Sequence, residues 1–306
     1  MAHVTLKQLA YFEALARTGH FGRAAALCHV TQPALSMQVA ELESQLGVAL
    51  VERRPRGVTL TAAGQEVARR AGDIGQSVRD LVEAAGMHAG GLAGPLRLGV
   101  IPTVAPYLLP GLLKEIIRRH PGSELKVRET VTHTLLSELA QGTLDLVIAA
   151  LPLVHPEIET HPVFSERFML IAPPGTPASQ PDEEVLAQHP LLLLEEGHCF
   201  RDHALAACGL TVADEVDTLA ASSLSTLVQM VAHGLGVTLI PEMAARSEAQ
   251  HDRVAVRTFA GPQRTRTVAL AWRRSSPRDA EYRLLAAMLA DLAAQTPLER
   301  APEPVP

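Results

Sequence analysis

The segment Gly197-His198-Cys199-Phe200-Arg201-Asp202-His203-Ala204-Leu205-Ala206-Ala207-Cys208 holds two of the chain's three cysteines, with eight residues between them. His198 and Arg201 can place positive charge beside Cys199, and a nearby cation lowers a thiol pKa toward the reactive thiolate. A second thiol within reach along the chain can close on the first after oxidation. The alanines and leucine in between favour helix. In an unbroken helix, residues nine positions apart stand about 13 Å apart along the axis and on opposite faces. A disulfide needs its Cα atoms within roughly 7 Å. Joining these thiols therefore requires the segment to refold, as a switch would. Other readings stay open on these residues alone. Free cysteines are more often buried and inert, and His198, Cys199, His203 and Cys208 are also types that zinc accepts, though their spacing matches no known finger. Cys28, far away, suits a small buried hydrophobe, and His29 a turn.

The elements that must position such a site divide the chain. At 306 residues it is long enough for two or three domains. An apolar content of 47% and a charged content of 20% describe a soluble globular protein. With only 3% aromatics, the cores must be built from Leu, Val, Ile and Ala. A formal net charge of -6 argues against whole-surface attraction to nucleic acid or anionic membrane. No leader pattern and no run of about 20 apolar residues is seen, so a cytoplasmic chain with reduced thiols and no membrane partner is expected.

The first part reads as helices. Leu6, Leu9, Phe12 and Leu15 repeat at helical spacing up to Gly19. A short helix follows from Arg23 to Leu27, then a third opened by Thr31 as N-cap with Pro33 in its first turn. Leu35, Val39, Leu42 and Leu46 form its buried stripe. Val51 to Leu60 predicts a hairpin bent at Gly57, and a long helix runs from Thr61 to about Met87, with Val67, Ile74, Val78 and Leu81 as apolar positions. His88 to Pro95 is the clearest linker. Beyond it, strands and helices alternate: strands at Leu96–Ile101, Leu125–Thr130 and Leu144–Ala150, and helices at Tyr107–His120 and Thr134–Gln141, in the rhythm of a covered parallel sheet. Further strands are predicted at Met169–Ala172, Leu191–Leu194, Val237–Ile240 and Val268–Trp272, and further helices at Ser223–Gly234 and Arg278–Ala294. Pro297 to Pro306 is expected to fray. The acidic loop Pro181-Asp182-Glu183-Glu184 fits no pattern.

Phe21 to Ser36 fits a helix-turn-helix. Its first helix packs through Ala24, Ala25 and Leu27, and its second presents Thr31, Gln32, Pro33, Ser36 and Gln38, short polar groups suited to base edges and phosphates. Arg53, Arg54 and Arg56 on the hairpin make a wing for backbone contacts. Periodicity alone leaves a structural helical bundle equally open. Charge decides little, since six basic residues face five acidic ones over residues 1–66.

These residues resemble the winged helix-turn-helix of LysR-type transcriptional regulators. The resemblance lies in Phe12, Ala24-Ala25, Val30-Thr31-Gln32-Pro33-Ala34-Leu35-Ser36, Leu42, Leu46, Gly47, Leu50-Val51-Glu52-Arg53 and Leu60-Thr61-Ala62-Ala63-Gly64. It implies a mainly α winged helix-turn-helix over residues 1–65 and a dimerising linker helix and hinge over 66–90. Residues 91–300 would form a redox-sensing α/β effector domain of two lobes, like a periplasmic binding protein, with a frayed tail at 301–306. Two hinge strands, near Pro162–Arg167 and Arg264–Trp272, would cross between the lobes.

Leu193 to Asp202, the spacing to Cys208, Gly94 to Val104, Pro106 to Pro110, Glu129 to His133, Ala220 to Leu227, Gly234 to Pro241 and Arg266-Thr267 resemble the hydrogen-peroxide-sensing OxyR branch of that family. The branch implies Cys199 as peroxidatic and Cys208 as resolving, joined by a reversible disulfide. Arg266 would hold the Cys199 thiolate, Thr103 and Thr132 would orient peroxide, and His133 and His198 would shape the pocket. Taken singly, each threonine is as well read as a helix cap and Arg266 as a surface charge. The resemblance further implies promoter DNA, hydrogen peroxide, a homotetramer built as a dimer of dimers, RNA polymerase and a cellular thiol reductant as partners. It implies control of oxidative-stress genes, no cofactor, no metal and no enzymatic output. The alternatives are a LysR regulator answering a small metabolite, a thiol peroxidase and a zinc-stabilised binding module.

Overall fold

A computed structural model describes residues 3–54, 57–86, 95–210, 219–249, 253–259 and 264–295. The linker from His88 to Gly94, Arg56 and the tail beyond residue 295 lie outside these, and of Arg53 only the backbone is described. The chain forms two compact units, residues 1–88 and 89–306.

In the first unit, α1 (Leu6–Thr18) starts from a capping box: the Thr5 hydroxyl accepts from Gln8 N while the Gln8 side chain accepts from Thr5 N. Gly19, at φ 61°, ends it in the left-handed region. α2 (Phe21–Leu27) begins two residues earlier than expected, because the His20 ring nitrogen caps it by accepting from Gly22 N at 3.0 Å. α3 (Gln32–Leu46) has Thr31 as its cap, as predicted. β1 (Val51–Arg54) and β2 (Gly57–Leu60) pair antiparallel as the wing, and α4 (Ala62–Gly86) follows. Phe12, Leu15, Ala24, Ala25, Leu35, Val39, Leu42 and Leu50 form the core, and Cys28 packs against it. Leu27, Leu46 and Leu6 were expected in that core, but they are 56%, 38% and 54% exposed. Each lies at a helix end, where the apolar stripe has turned away from its neighbours. Gly64 is required by contact. A β-carbon there would stand 2.0 Å from the Leu50 carbonyl oxygen, so α4 approaches the wing only through a glycine.

In the second unit, β3 (Pro95–Val100), α5 (Ala105–Arg119), β4 (Glu124–Glu129), α6 (Thr132–Ala140) and β5 (Leu146–Ala150) build the first lobe. β3 lies between β4 and β5 in parallel pairing, and β5 is buried along its whole length. Its core joins Val100, Ile148, Leu135 and Leu112 to Trp272 and Tyr282 from the end of the chain. The second lobe contains α7 (Asp182–Gln188), β7 (Leu193–Leu194), α8 (Cys199–Ala207), β8 (Ala220–Ala221), α9 (Leu224–Ala232), β9 (Thr238–Pro241), α10 (Glu242–Glu248) and β10 (Ala255–Thr258) around Phe168, Leu192, Phe200, Leu227 and Leu239.

Two long strands cross between the lobes, as the resemblance implied. β6 (Ile158–Ala172) is one continuous strand of 15 residues, joining the hinge strand expected near Pro162–Arg167 to the short strand expected from Met169. β11 (Thr265–Arg273) runs antiparallel along it, with a register shift between Val268 and Ala269. The near half of β6 faces β11, and its far half pairs with β9 and β10. α11 (Asp279–Gln295) then returns over the first lobe. The acidic run after Pro181 is no loop. It is the first turn of α7, where carboxylates favour the positive end of the helix dipole, and Asp182 is buried against Arg257 at 2.9 Å. Among the described residues no helix is long and apolar enough to cross a membrane.

Candidate functional site

Cys199 is the first residue of α8, with His198 as its N-cap, and Cys208 caps the other end. The whole helix lies between the two thiols, and both are free. Cys199 packs against the core of the first lobe, Cys208 against that of the second.

Beside Cys199 is a cavity of about 10 Å³ lined by Thr103, Val131, Thr132, His198, Cys199 and Phe200, together with Ile101 and Pro102. Such a space admits a molecule the size of water or little more. Thr103 follows the end of β3 and is 2% exposed. Its hydroxyl accepts from Arg266 Nη1 at 2.7 Å, and its carbonyl from Nη2 at 3.0 Å. Thr132, in the first turn of α6, has a buried hydroxyl oxygen with no hydrogen-bond partner among the described residues. A buried hydroxyl beside a small cavity can hydrogen-bond a small polar molecule there.

Arg266, on β11, is 3% exposed. It donates through Nε to Glu166 Oε1 at 2.9 Å and lies over the Phe200 ring at 5.2 Å. Glu166 in turn accepts from Met243 N at 3.1 Å, which ties the cation to the start of α10. Phe200, for which the sequence offered no role, also meets Phe168 edge-on at 5.5 Å. It therefore carries the pocket wall on the second-lobe core.

The expected cation next to Cys199 is corrected on two counts. Arg201 turns its Nη1 to the Leu194 carbonyl. Burial pushes the His198 imidazole below the ordinary histidine range despite the opposing pull of Glu195, which disfavours a positive charge there. His133 is exposed and shares a hydrogen bond with Thr134. Its ring packs beside Gly197, and it stands next to the pocket without lining it.

His203 was named from the sequence only as a residue type that zinc accepts, not as a neighbour of Cys199 on α8. It sits four residues after Cys199, hence on the same helical face. Its buried Nδ1 has no hydrogen-bond partner among the described residues, and burial together with Arg266 lowers its pKa against the backbone of Leu151. That i, i+4 spacing was the available signal. Among the described residues, no three His, Cys, Asp or Glu side chains converge where a metal could be held.

In the first unit, Thr31, Gln32 and Pro33 are exposed at the start of α3, while Ser36 and Gln38 are half-buried. Met37, not singled out by sequence, is 63% exposed on the same helix. Arg54 projects from the wing, 3.6 Å from Glu52.

The comparisons with known proteins fit both units. Residues 6–65 match the bacterial regulatory helix-turn-helix of the lysR family, and residues 89–294 match the LysR substrate binding domain. The chain belongs to the LysR family. Within it, this LysR chain is 43% identical over 304 residues to a probable hydrogen peroxide-inducible genes activator of Streptomyces viridosporus, covering 96% of both. The full-length OxyR of Pseudomonas aeruginosa, in a cysteine-to-aspartate form, superposes with a TM-score of 0.77 at 40% identity, over 94% of this chain and 95% of that one. A cysteine mutant of Corynebacterium glutamicum OxyR with hydrogen peroxide bound gives 0.64 at 33% identity, over 97% and 95%. The LysR chain thus stands in the OxyR branch.

Proposed function

We propose that this LysR regulator binds promoter DNA and senses hydrogen peroxide through a reversible Cys199–Cys208 disulfide, controlling oxidative-stress genes. One observation carries the reading: Cys199 opens onto a cavity fit only for a very small polar molecule, while Cys208 is held at the far end of α8 on a different core. Thr103 and Thr132 would orient the peroxide. The Cys199 thiolate attacks one oxygen, the O–O bond breaks, and the departing hydroxide leaves as water after taking a proton. Arg266, fixed by Glu166 and Thr103, would favour the anionic charge, and His198 and His133 would shape the approach. Cys208 then displaces the sulfenic oxygen from Cys199 as a second water. A disulfide cannot span the ends of an intact α8, so oxidation remodels the second lobe.

Thr31, Gln32, Pro33, Ser36 and Gln38 would read the operator, with Arg53, Arg54 and Arg56 on the backbone. Ile74, Leu81 and Val82 on α4 are 42%, 69% and 67% exposed, apolar positions suited to pairing two chains. The working form would be a dimer of dimers in the cytoplasm, acting with RNA polymerase, reset by a thiol reductant and needing no cofactor. It consumes peroxide as signal and is not an enzyme.

A metabolite-gated regulator is the second reading. A separate cavity of about 440 Å³, lined by Tyr107, Phe164, Glu166, Met243 and Arg246 among others, is the size small-molecule effectors occupy. Peptide mass spectrometry after roughly equimolar peroxide decides. A Cys199–Cys208 disulfide with Cys28 still a thiol supports sensing, and free thiols at both positions leave the metabolite reading.

A further inference from the structure

We propose that Met37 on α3 reads the methyl group of a thymine in the major groove, and so sets part of the operator sequence. The inference rests on the DNA-binding reading above and adds to it a base-contacting residue outside the polar set.

α3 has 15 residues, and none of them is a lysine or an arginine. Bidentate contact from those side chains to guanine is the commonest specific pairing in the major groove. This helix cannot make it. Its two carboxylates could accept from cytosine, but both stand in its C-terminal half and are engaged. Glu41 accepts from Gln45 Nε2 at 3.1 Å, and Glu43 accepts from Leu50 N at 2.7 Å and Val51 N at 3.1 Å. The N-terminal half is the part of such a helix that meets base edges. There it offers amides and hydroxyls, and one large apolar side chain, Met37.

The geometry presents that side chain outward. Leu35, Val39 and Leu42 bury one side of α3 in the core. At about 100° of rotation per residue Met37 falls roughly opposite them, and it is 63% exposed. Pro33 one turn before it, and Ala40 and Ser44 one and two turns after it, are exposed on the same line. A single exposed apolar residue on a surface needs no explanation. Here the outermost line of a recognition helix is uncharged, with its one long side chain at the point of closest approach. The unbranched thioether of methionine adapts its shape to what it meets. Against a thymine methyl it takes apolar surface of both partners out of water. Cytosine in that place lacks the methyl and brings an amino donor that an apolar group leaves unpaired.

The test uses the full chain, with and without equimolar peroxide, and a pool of duplexes randomised over about 20 base pairs, two turns of DNA. The most enriched duplex is remade with deoxyuridine for each thymine in turn, which removes one methyl and keeps the base pairing. At one thymine or more, uracil should weaken binding about three- to fivefold. Met37→Ala should weaken binding to the thymine duplex by at least that factor, abolish the uracil effect and leave the salt dependence unaltered. Met37→Leu should keep most of the effect. Equal affinity for all thymine and uracil duplexes overturns the proposal, as does a uracil penalty that persists undiminished in Met37→Ala, while DNA reading stands in both cases. If no sequence is enriched in either condition, sequence-specific DNA binding fails and the proposal falls with it. An unchanged urea midpoint shows that Met37→Ala has kept the helix. Should it fall, Met37→Gln takes its place, with the same loss of the uracil effect expected.

Discussion

Arg266 holds Thr103 twice, through its hydroxyl at 2.7 Å and its carbonyl at 3.0 Å, while its remaining edge pairs with Glu166. Both charged partners are buried, with side chains 1% and 6% exposed. Removing one member of such a pair leaves the other uncompensated. Arg266→Ala should therefore lower stability in urea unfolding by about 3–5 kcal/mol, whereas Thr103→Val, which deletes one charged hydrogen bond, should lower it by about 1.5–3 kcal/mol.

Thr132 should behave in the opposite way. Its hydroxyl has no protein partner to lose, so Thr132→Val leaves the urea midpoint unchanged or raises it. If the hydroxyl orients peroxide, the rate of Cys199 oxidation falls about tenfold, the equivalent of one hydrogen bond in the transition state. Stopped-flow oxidation at several peroxide concentrations measures it.

His198 and His203 both titrate below the ordinary histidine value of 6.5, chiefly because burial opposes their charged forms. The unfolded chain then binds these protons more readily than the folded one. Their contribution is fully present above pH 6.5 and is lost as the pH falls through that value toward the lower folded ones. Melting curves at pH 7.5 and pH 5.5 should show a drop in Tm that His203→Gln makes smaller. An equal drop in both proteins would mean that the imidazole charges without resistance.

Gly64→Ala places a methyl group against the Leu50 carbonyl, 2.0 Å away before relaxation. The strain should lower the stability of residues 1–88 by at least about 1–3 kcal/mol. It should abolish operator binding in a gel-shift assay and leave peroxide oxidation of Cys199 unaltered.

Arg54→Ala should weaken DNA binding across sequences and reduce the slope of log affinity against log salt by about one for each phosphate no longer neutralised. Gln32→Ala should instead relax the choice of operator with little change in that slope. Titrations at several salt concentrations separate the two.

Local signals carried much of the fold. Thr31 before Gln32-Pro33 marks a helix start by its own hydrogen bond, and Leu146 to Ala150 reads as a buried strand because no polar residue interrupts it. The failures have physical causes. β6 looked broken because its near half, Ile158 to Arg167, is mostly polar, is interrupted by Pro162 and shows no period of two, while its far half is apolar inside the second lobe. α10 was missed because about two turns, begun after Pro241, offer too few residues for a period to show. At the site, Cys199, Thr103, Thr132 and Arg266 were nameable from the resemblance, but Glu166 lies 100 residues from the arginine it pairs with. No local pattern announces such a pairing. His203 was within reach of periodicity, and its orphaned nitrogen was not.

In the disulfide reading, α8 would also time the signal. The helix separates the two thiols end to end, so the bridged form exists only while its hydrogen bonds and its burial of Phe200, Ala204 and Leu205 are given up. The bridged state would therefore be a loaded spring, and every reducing encounter would be helped by the helix waiting to re-form. How long the cell goes on hearing an alarm after the oxidant has gone would then be set by the stability of nine residues. Substitutions between the two cysteines that merely strengthen or weaken that helix would shorten or prolong the memory.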